Sequence, residues 1–188
     1  MAALAVALAA HAQHGALTMP RNLAELTDRA ALIIEGTVVS AVAQPHPAYP
    51  NLMTVVVTIA VQDTLKGEAR RVYSFRQFVW DAKDAHSALG YRKGQHVLLM
   101  LNAENEHGLT SPVGLRQGRF RIETGSDGQP VAVNGEGNVG LFDGVAATAA
   151  SKGVQLSRRG KQILEARPAG PVHAADLKDM IHGLVNSK

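Results

Sequence analysis

Between Leu32 and Phe120 the chain carries a series of short apolar runs separated by glycine- and proline-marked turns. This punctuation constrains the fold more than any other feature of the 188 residues. The series opens with Leu32-Ile33-Ile34-Glu35-Gly36-Thr37-Val38-Val39, a strand over 31–43 in which Gly36 marks a bulge or a close backbone approach. Pro45, Pro47 and Pro50 then enforce a loop, because proline cannot donate to a sheet ladder. In the second run Val55, Val57, Ile59 and Val61 alternate with Val56, Thr58, Ala60 and Gln62, the period of two that defines a strand. Leu65-Lys66-Gly67 ends it.

A third strand over 70–80 puts Tyr73 and Phe75 on one face and Arg76, Phe78 and Trp80 on the other. Residues 81–93 are polar and read as an excursion or a short helix. Residues 95–102 are apolar on both faces, as in a strand covered from both sides. Residues 109–115 are a candidate short strand. In the run from Arg116 to Thr124, Phe120 and Ile122 point inward while Arg119, Arg121 and Glu123 point outward. Gly125-Ser126-Asp127-Gly128 turns the chain into a return strand at 130–134.

Helical signals flank this β region. Asn22 and Glu25 form a capping-box pattern, and Leu23, Leu26 and Ala30 share one helical face, which predicts a short helix over 22–30. Residues 135–153 are rich in Gly and Ala and read as loop, followed by a short helix over 156–166. At the end Leu177, Met180, Ile181, Leu184 and Val185 make an amphipathic stripe, with Asp176 and Asp179 early and Lys188 late, as the helix dipole favours. The expected fold is mainly β: a five-stranded, OB-like closed barrel over 20–134 with a short N-terminal helix. Residues 135–188 add a loop and a C-terminal amphipathic helix packed on the barrel.

The residues also carry a family resemblance. Ala31-Leu32-Ile33 followed by Glu35-Gly36-Thr37-Val38 resembles the opening strand of netrin-like domains. Val57–Val61 running into Leu65-Lys66-Gly67 resembles their second strand, and Gly94-Gln95-His96-Val97-Leu98-Leu99 a later one. The order is similar, more closely still, to exported bacterial proteins that add a leading helix and a segment like Gly114-Leu115-Arg116-Gln117-Gly118-Arg119-Phe120. Netrin-like domains include tissue inhibitors of metalloproteinases, which chelate the protease metal through an N-terminal cysteine. This chain has no cysteine, so the resemblance implies a fold and carries over no inhibitory residue.

The missing cysteines also exclude disulfides, thiolate metal sites and cysteine nucleophiles. With 46% apolar residues and only 4% aromatic ones, aliphatic side chains must build the core. The net charge of +3 comes from scattered Lys and Arg rather than a basic stripe, which weighs against nucleic-acid binding. Ala2–Ala10 is an apolar run too short to span a bilayer, and Ala10-His11-Ala12 follows it like a small-x-small cleavage site. Residues 1–12 therefore read as the remnant of a secretory signal, although the basic n-region is missing and an Ala-rich packing helix is the alternative. The expected location is periplasmic or secreted, with no membrane span.

Chemical motifs are weak. Gly135-Glu136-Gly137-Asn138-Val139-Gly140 matches G-x-G-x-x-G, but Leu141-Phe142-Asp143-Gly144 follows where a dinucleotide site needs a helix. Asp81, Asp84 and His86 offer oxygen and imidazole ligands for Zn²⁺ or another divalent ion, in no strong spacing. Glu104 with His107 is a second weak pair, and His46 and His182 read as surface residues. Ser74, Ser87, Ser111 and Ser157 lie in no G-x-S-x-G, and Ser157–Lys161 misses the S-x-x-K spacing by one residue. A strip of Arg76, Phe78 and Trp80, joined by Arg119 and Arg121 if their strands are neighbours, is a candidate ligand-binding face. The alternative is that the C-terminal helix covers Phe78 and Trp80. No cofactor is expected. The leading functional expectation is a non-catalytic exported module that binds another envelope or secreted protein, a protease being one candidate. The alternatives are a metal-dependent hydrolase using the 81–86 loop, or oligosaccharide or oligonucleotide binding on the barrel face.

Overall fold

A computed structural model describes residues 19–166 and 168–186. The proposed signal remnant at 1–12 and Lys188 lie outside the described residues. The described residues form one antiparallel sheet of seven strands: β1 (Leu32–Pro45), β2 (Met53–Lys66), β3 (Val72–Phe78), β4 (His96–Leu101), β5 (Arg119–Thr124), β6 (Pro130–Asn134) and β7 (Val172–His173). Their order across the sheet is β3-β2-β1-β4-β5-β6-β7. Helices α1 (Leu23–Arg29), α2 (Ala82–His86), α3 (Val145–Ser151), α4 (Arg158–Ala166) and α5 (Ala174–Val185) complete the fold, with a 3₁₀ turn at Ala88–Gly90.

The sheet is open, which corrects the expectation of a five-stranded closed barrel. Closure requires the two outermost strands to pair, and here β3 and β7 each end the sheet. The predicted strand at 109–115 fails for a local reason. Gly114 (φ 60°) and Leu115 (φ 54°) are left-handed, which breaks extended backbone, and Pro112 has no N–H to give a ladder. What remains is an isolated bridge between Leu101 and Pro112. The outer edge of β3 meets this loop through a bond from the Thr110 N–H to the Arg76 carbonyl (2.9 Å), in place of a strand ladder.

Apolar side chains cover both faces of the sheet. On one face Ile33, Leu98, Met100, Phe120 and Ala132 pack against Leu23 and Leu26 of α1, Val145 of α3, Ile163 of α4, and Leu177, Met180, Ile181 and Leu184 of α5. Each of the large side chains contributes roughly 1.5–3 kcal/mol by leaving water. On the other face Ile34, Val38, Val55, Val57, Ile59, Phe75, Tyr91, Val97, Leu99 and Leu101 gather, with Ala85, Ala88 and Leu89 of the excursion laid against them. Strand β4 feeds alternate residues to both cores, which is why its sequence lacks a polar face.

The capping box of α1 forms as its sequence predicts: the Asn22 side chain accepts from the Glu25 N–H, and the Glu25 carboxylate accepts from the Asn22 N–H, both at 3.0 Å. The 135–153 segment is more ordered than its composition suggests. It contains α3, and Asn138 (fully buried) organises the G-x-G-x-x-G turn. The Asn138 amide donates to the Ala132 and Gly170 carbonyls (3.0 and 2.8 Å), and its side-chain oxygen accepts from the Asn134 N–H (2.9 Å). This is a structural staple, with Asn138 itself in a left-handed conformation (φ 58°) that asparagine tolerates.

Gly36 marks a register shift in the β1–β2 pairing, and β2 crosses it closely. A Cβ at this position would collide with the Ala60 carbonyl and lie 2.7 Å from Ile59 Cγ2. Gly36→Ala is therefore expected to destabilise the fold by about 1–3 kcal/mol. Urea unfolding checks this: an unchanged midpoint would mean that the strands do not approach this closely.

Candidate functional site

The two long strands extend beyond the helical layer. Ala60, Thr58, Val56 and Thr54 of β2 alternate with the buried Ile59, Val57 and Val55, so they share the face on which α5 packs. The register aligns three rows across this face: Ser40–Thr58–Ser74, Val42–Val56–Arg76 and Gln44–Thr54–Phe78. The Thr58 and Ser74 hydroxyls meet at 3.0 Å. The Thr54 hydroxyl donates to the Gln44 carbonyl (2.7 Å) and accepts from Arg76 Nη1 (2.8 Å), which also reaches the Pro45 carbonyl (3.5 Å). Val39, Val42 and Met53 are exposed large hydrophobic residues on or beside these rows.

At the end of β3 lies Trp80, 81% exposed. Its ring stands edge-on to Phe78, with centroids 4.7 Å apart and planes at 82°, a favoured aromatic geometry. Val79 anchors the turn between them, buried and bonded through its N–H to the Met53 carbonyl (3.2 Å). The alternative that the C-terminal helix covers this pair does not hold. That helix packs on α1, α4, β2 and β6 instead.

A charged cluster marks where helical cover stops. Glu35, 8% exposed near the start of β1, holds Lys178 of α5 at 2.7 Å through Oε2 and His96 of β4 at 2.9 Å through Oε1. Lys178 also reaches Asp63 at 3.2 Å. Burial works against the charge on Lys178, but Glu35 and Asp63 outweigh it and raise its pKa above the ordinary value. Sequence reading treated Glu35 and His96 as parts of strand motifs. The available signal is a carboxylate directly after the apolar run Leu32-Ile33-Ile34, a position that needs a partner.

The remaining candidates are dispersed. Arg119 and Arg121 sit on β5, separated from β3 by β2, β1 and β4, so they do not join the Arg76–Trp80 strip. Arg119 donates to the Leu89 and Gly90 carbonyls (both 2.7 Å) and stacks 3.6 Å over the Tyr91 ring. This clamp holds the excursion where Ala88 and Leu89 take left-handed φ angles of 49° and 56°. Arg121 lies 3.3 Å from Glu123. Asp81 caps α2 by accepting from the Lys83 N–H (2.8 Å), while Asp84 and His86 are exposed. Among the described residues no group of three or more His, Asp or Glu side chains is placed to share a metal ion. Ser157 accepts from the Gly160 N–H (3.0 Å) at the start of α4. His46 is not the surface residue it was expected to be. It is buried, stacks on Tyr49 at 5.0 Å, and its Nε2 lies 2.8 Å from the His107 carbonyl oxygen.

Compared with known proteins, the chain matches no family model, no curated protein and no solved structure. The netrin-like resemblance therefore rests on the strand motifs alone.

One buried group, Tyr91, makes alkaline stability informative. Tyr91 is buried, its hydroxyl has no hydrogen-bond partner among the described residues, and burial pushes its pKa from 10.0 up to about 12. A raised folded pKa means that the contribution is complete below pH 10.0 and is lost as pH rises toward about 12. Tyr91→Phe is expected to leave stability unchanged or slightly higher at pH 7 and to flatten the decline across that window. Denaturant midpoints measured from pH 7 to 11.5 check this. An equal decline in both proteins would mean that the phenol titrates normally.

Proposed function

We propose that the chain is an exported, non-catalytic binding module that engages another protein of the bacterial envelope through the uncovered face of β1–β3 and its Phe78–Trp80 end. The observation that carries this reading is Trp80: largely in water, with its ring packed edge-on against Phe78. Protein-binding hot spots favour such rigid aromatic anchors, because they bring large apolar area with little rotamer entropy to lose. The exposed Val39 and Val42 extend the apolar area beyond the aromatic pair.

Charge separates this reading from oligonucleotide binding. A single-strand groove combines stacking with several phosphate-neutralising cations. Across the three rows Arg76 is the only cation, and its guanidinium is bonded to Thr54 and Pro45. Export rests on the apolar run Ala2–Ala10 and the Ala10-His11-Ala12 pattern. The aromatic pair also offers a surface on which a sugar ring stacks, which keeps oligosaccharide binding as the second reading.

The test compares immobilised protein with a Trp80→Ala variant in capture from periplasmic extract at several salt concentrations. A specific partner should be retained by the parent and bind the variant at least about tenfold more weakly. The melting temperature of the variant should stay close to that of the parent, because the side chain is exposed. Identical capture by both proteins, or none by either, would reject the proposal. Quenching of the single tryptophan by oligosaccharides without protein capture would favour the second reading.

A further inference from the structure

We propose that a cleft between α1 and the 111–115 turn binds a small ligand through an oxyanion, a carboxylate or a phosphate, held by Arg21 and Arg29. The cleft is open to solvent and has a volume of about 410 Å³, within the range of roughly 300–1,000 Å³ usual for small-molecule sites. Arg21 and Arg29 line it from the α1 side, and Asn102, Ser111 and the 112–115 backbone from the other. None of the lining residues is a carboxylate. Among the described residues neither guanidinium has an ion-pair or hydrogen-bond partner, and the only bond at Arg21 is made by its backbone N–H. Arg29 lies in the last turn of α1, where a cation complements the helix dipole. That accounts for a base at this position, and the same residue also lines the cleft. Two like charges lining one recess repel each other, and a shared anion removes that repulsion while accepting paired N–H bonds.

The walls are fixed in advance, as a binding site requires. Gln117 ties down the segment before α1, accepting from the Arg21 N–H (2.7 Å) and donating to the Met19 carbonyl (3.1 Å). Asn102 donates to the Ser111 carbonyl (2.9 Å) and approaches its hydroxyl (3.4 Å), so the Ser111 O–H remains available to donate to an anion. Leu115 holds a left-handed φ of 54°, a strained conformation for a residue with a side chain. The turn is locked around it by bonds from the Leu115 N–H to the Pro112 carbonyl (2.9 Å) and from the Gln117 N–H to the Gly114 carbonyl (3.1 Å). Strain of this kind collects at ligand sites, where the surrounding structure enforces it.

Amide-resolved NMR titration of the whole chain with inorganic phosphate, and separately with succinate, tests the site, with sodium chloride holding ionic strength constant. Saturable shifts confined to residues 21, 29, 102, 111 and 113–115 are expected for at least one anion. Phosphate alone points to a phosphate-bearing ligand, and succinate alone to a carboxylate. Arg21→Gln and Arg29→Gln should each weaken binding by about tenfold or more, as loss of a charge-assisted contact does. A linear response shared with chloride would overturn the proposal. So would undiminished binding in the double variant, or in the two single variants should the double variant melt early.

Discussion

Strand length outruns helix length in this protein, and most of its surface character follows from that mismatch. Each of the fourteen-residue strands β1 and β2 extends roughly 46 Å, whereas the twelve-residue helix α5 is about 18 Å long. A single helical layer of that size covers only part of the hairpin. The remainder must be covered by something else, carry polar groups, or stay apolar in water. The excursion at 80–91 takes the first course on one face. On the other, threonine and serine hydroxyls pair across strands and Arg76 lies along Thr54, while Val42 and the Phe78–Trp80 end keep their apolar character.

The Glu35–Lys178–His96–Asp63 cluster gives this boundary a physical cause. A carboxylate in the centre of an apolar sheet is tolerated only with partners. Glu35 takes Lys178 of α5 as one of these partners, which ties the helix to β1 at this point. The Ser40–Thr58–Ser74 row follows one row further on, past Thr37–Ala60–Val72. The aromatic end and the arginine-lined cleft lie on different parts of the molecule: one at the far end of β1–β3, the other between α1 and the loop after β4. An apolar macromolecular contact and a small charged ligand can thus be served by separate surfaces of one rigid sheet.

Local patterns in the sequence were legible where backbone rules act alone. The Asn22–Glu25 cap, the alternation from Val55 to Ile59, the doubly apolar β4 and the α5 stripe each follow from a short-range period or a cap. Topology was not, because whether the outermost strands meet is a matter of tertiary pairing that no local period encodes. Residues 109–115 have strand-like composition, but Gly114 and Leu115 adopt left-handed angles in a turn closed by the Leu115 and Gln117 N–H groups. The same limit applies to function. Arg76, Phe78 and Trp80 are legible as one strip because they alternate along and just beyond a single strand. Arg119 and Arg121 join it only if β5 neighbours β3, and strand order is not written in local pattern. Glu35 with His96, and Arg21 with Arg29 across the cleft from Ser111, come together only through tertiary pairing.

The bond from Thr110 to the Arg76 carbonyl has a further consequence. An antiparallel edge strand turns every second residue outward, and on β3 these are Val72, Ser74, Arg76 and Phe78. Left open, such a row would template the addition of another chain, and with a twisted apolar hairpin behind it the product would be a growing polymer. A loop docked on the middle of the row interrupts it, leaving stubs too short for an incoming strand to zip along. The same loop contact thus blunts this edge of the sheet against strand addition.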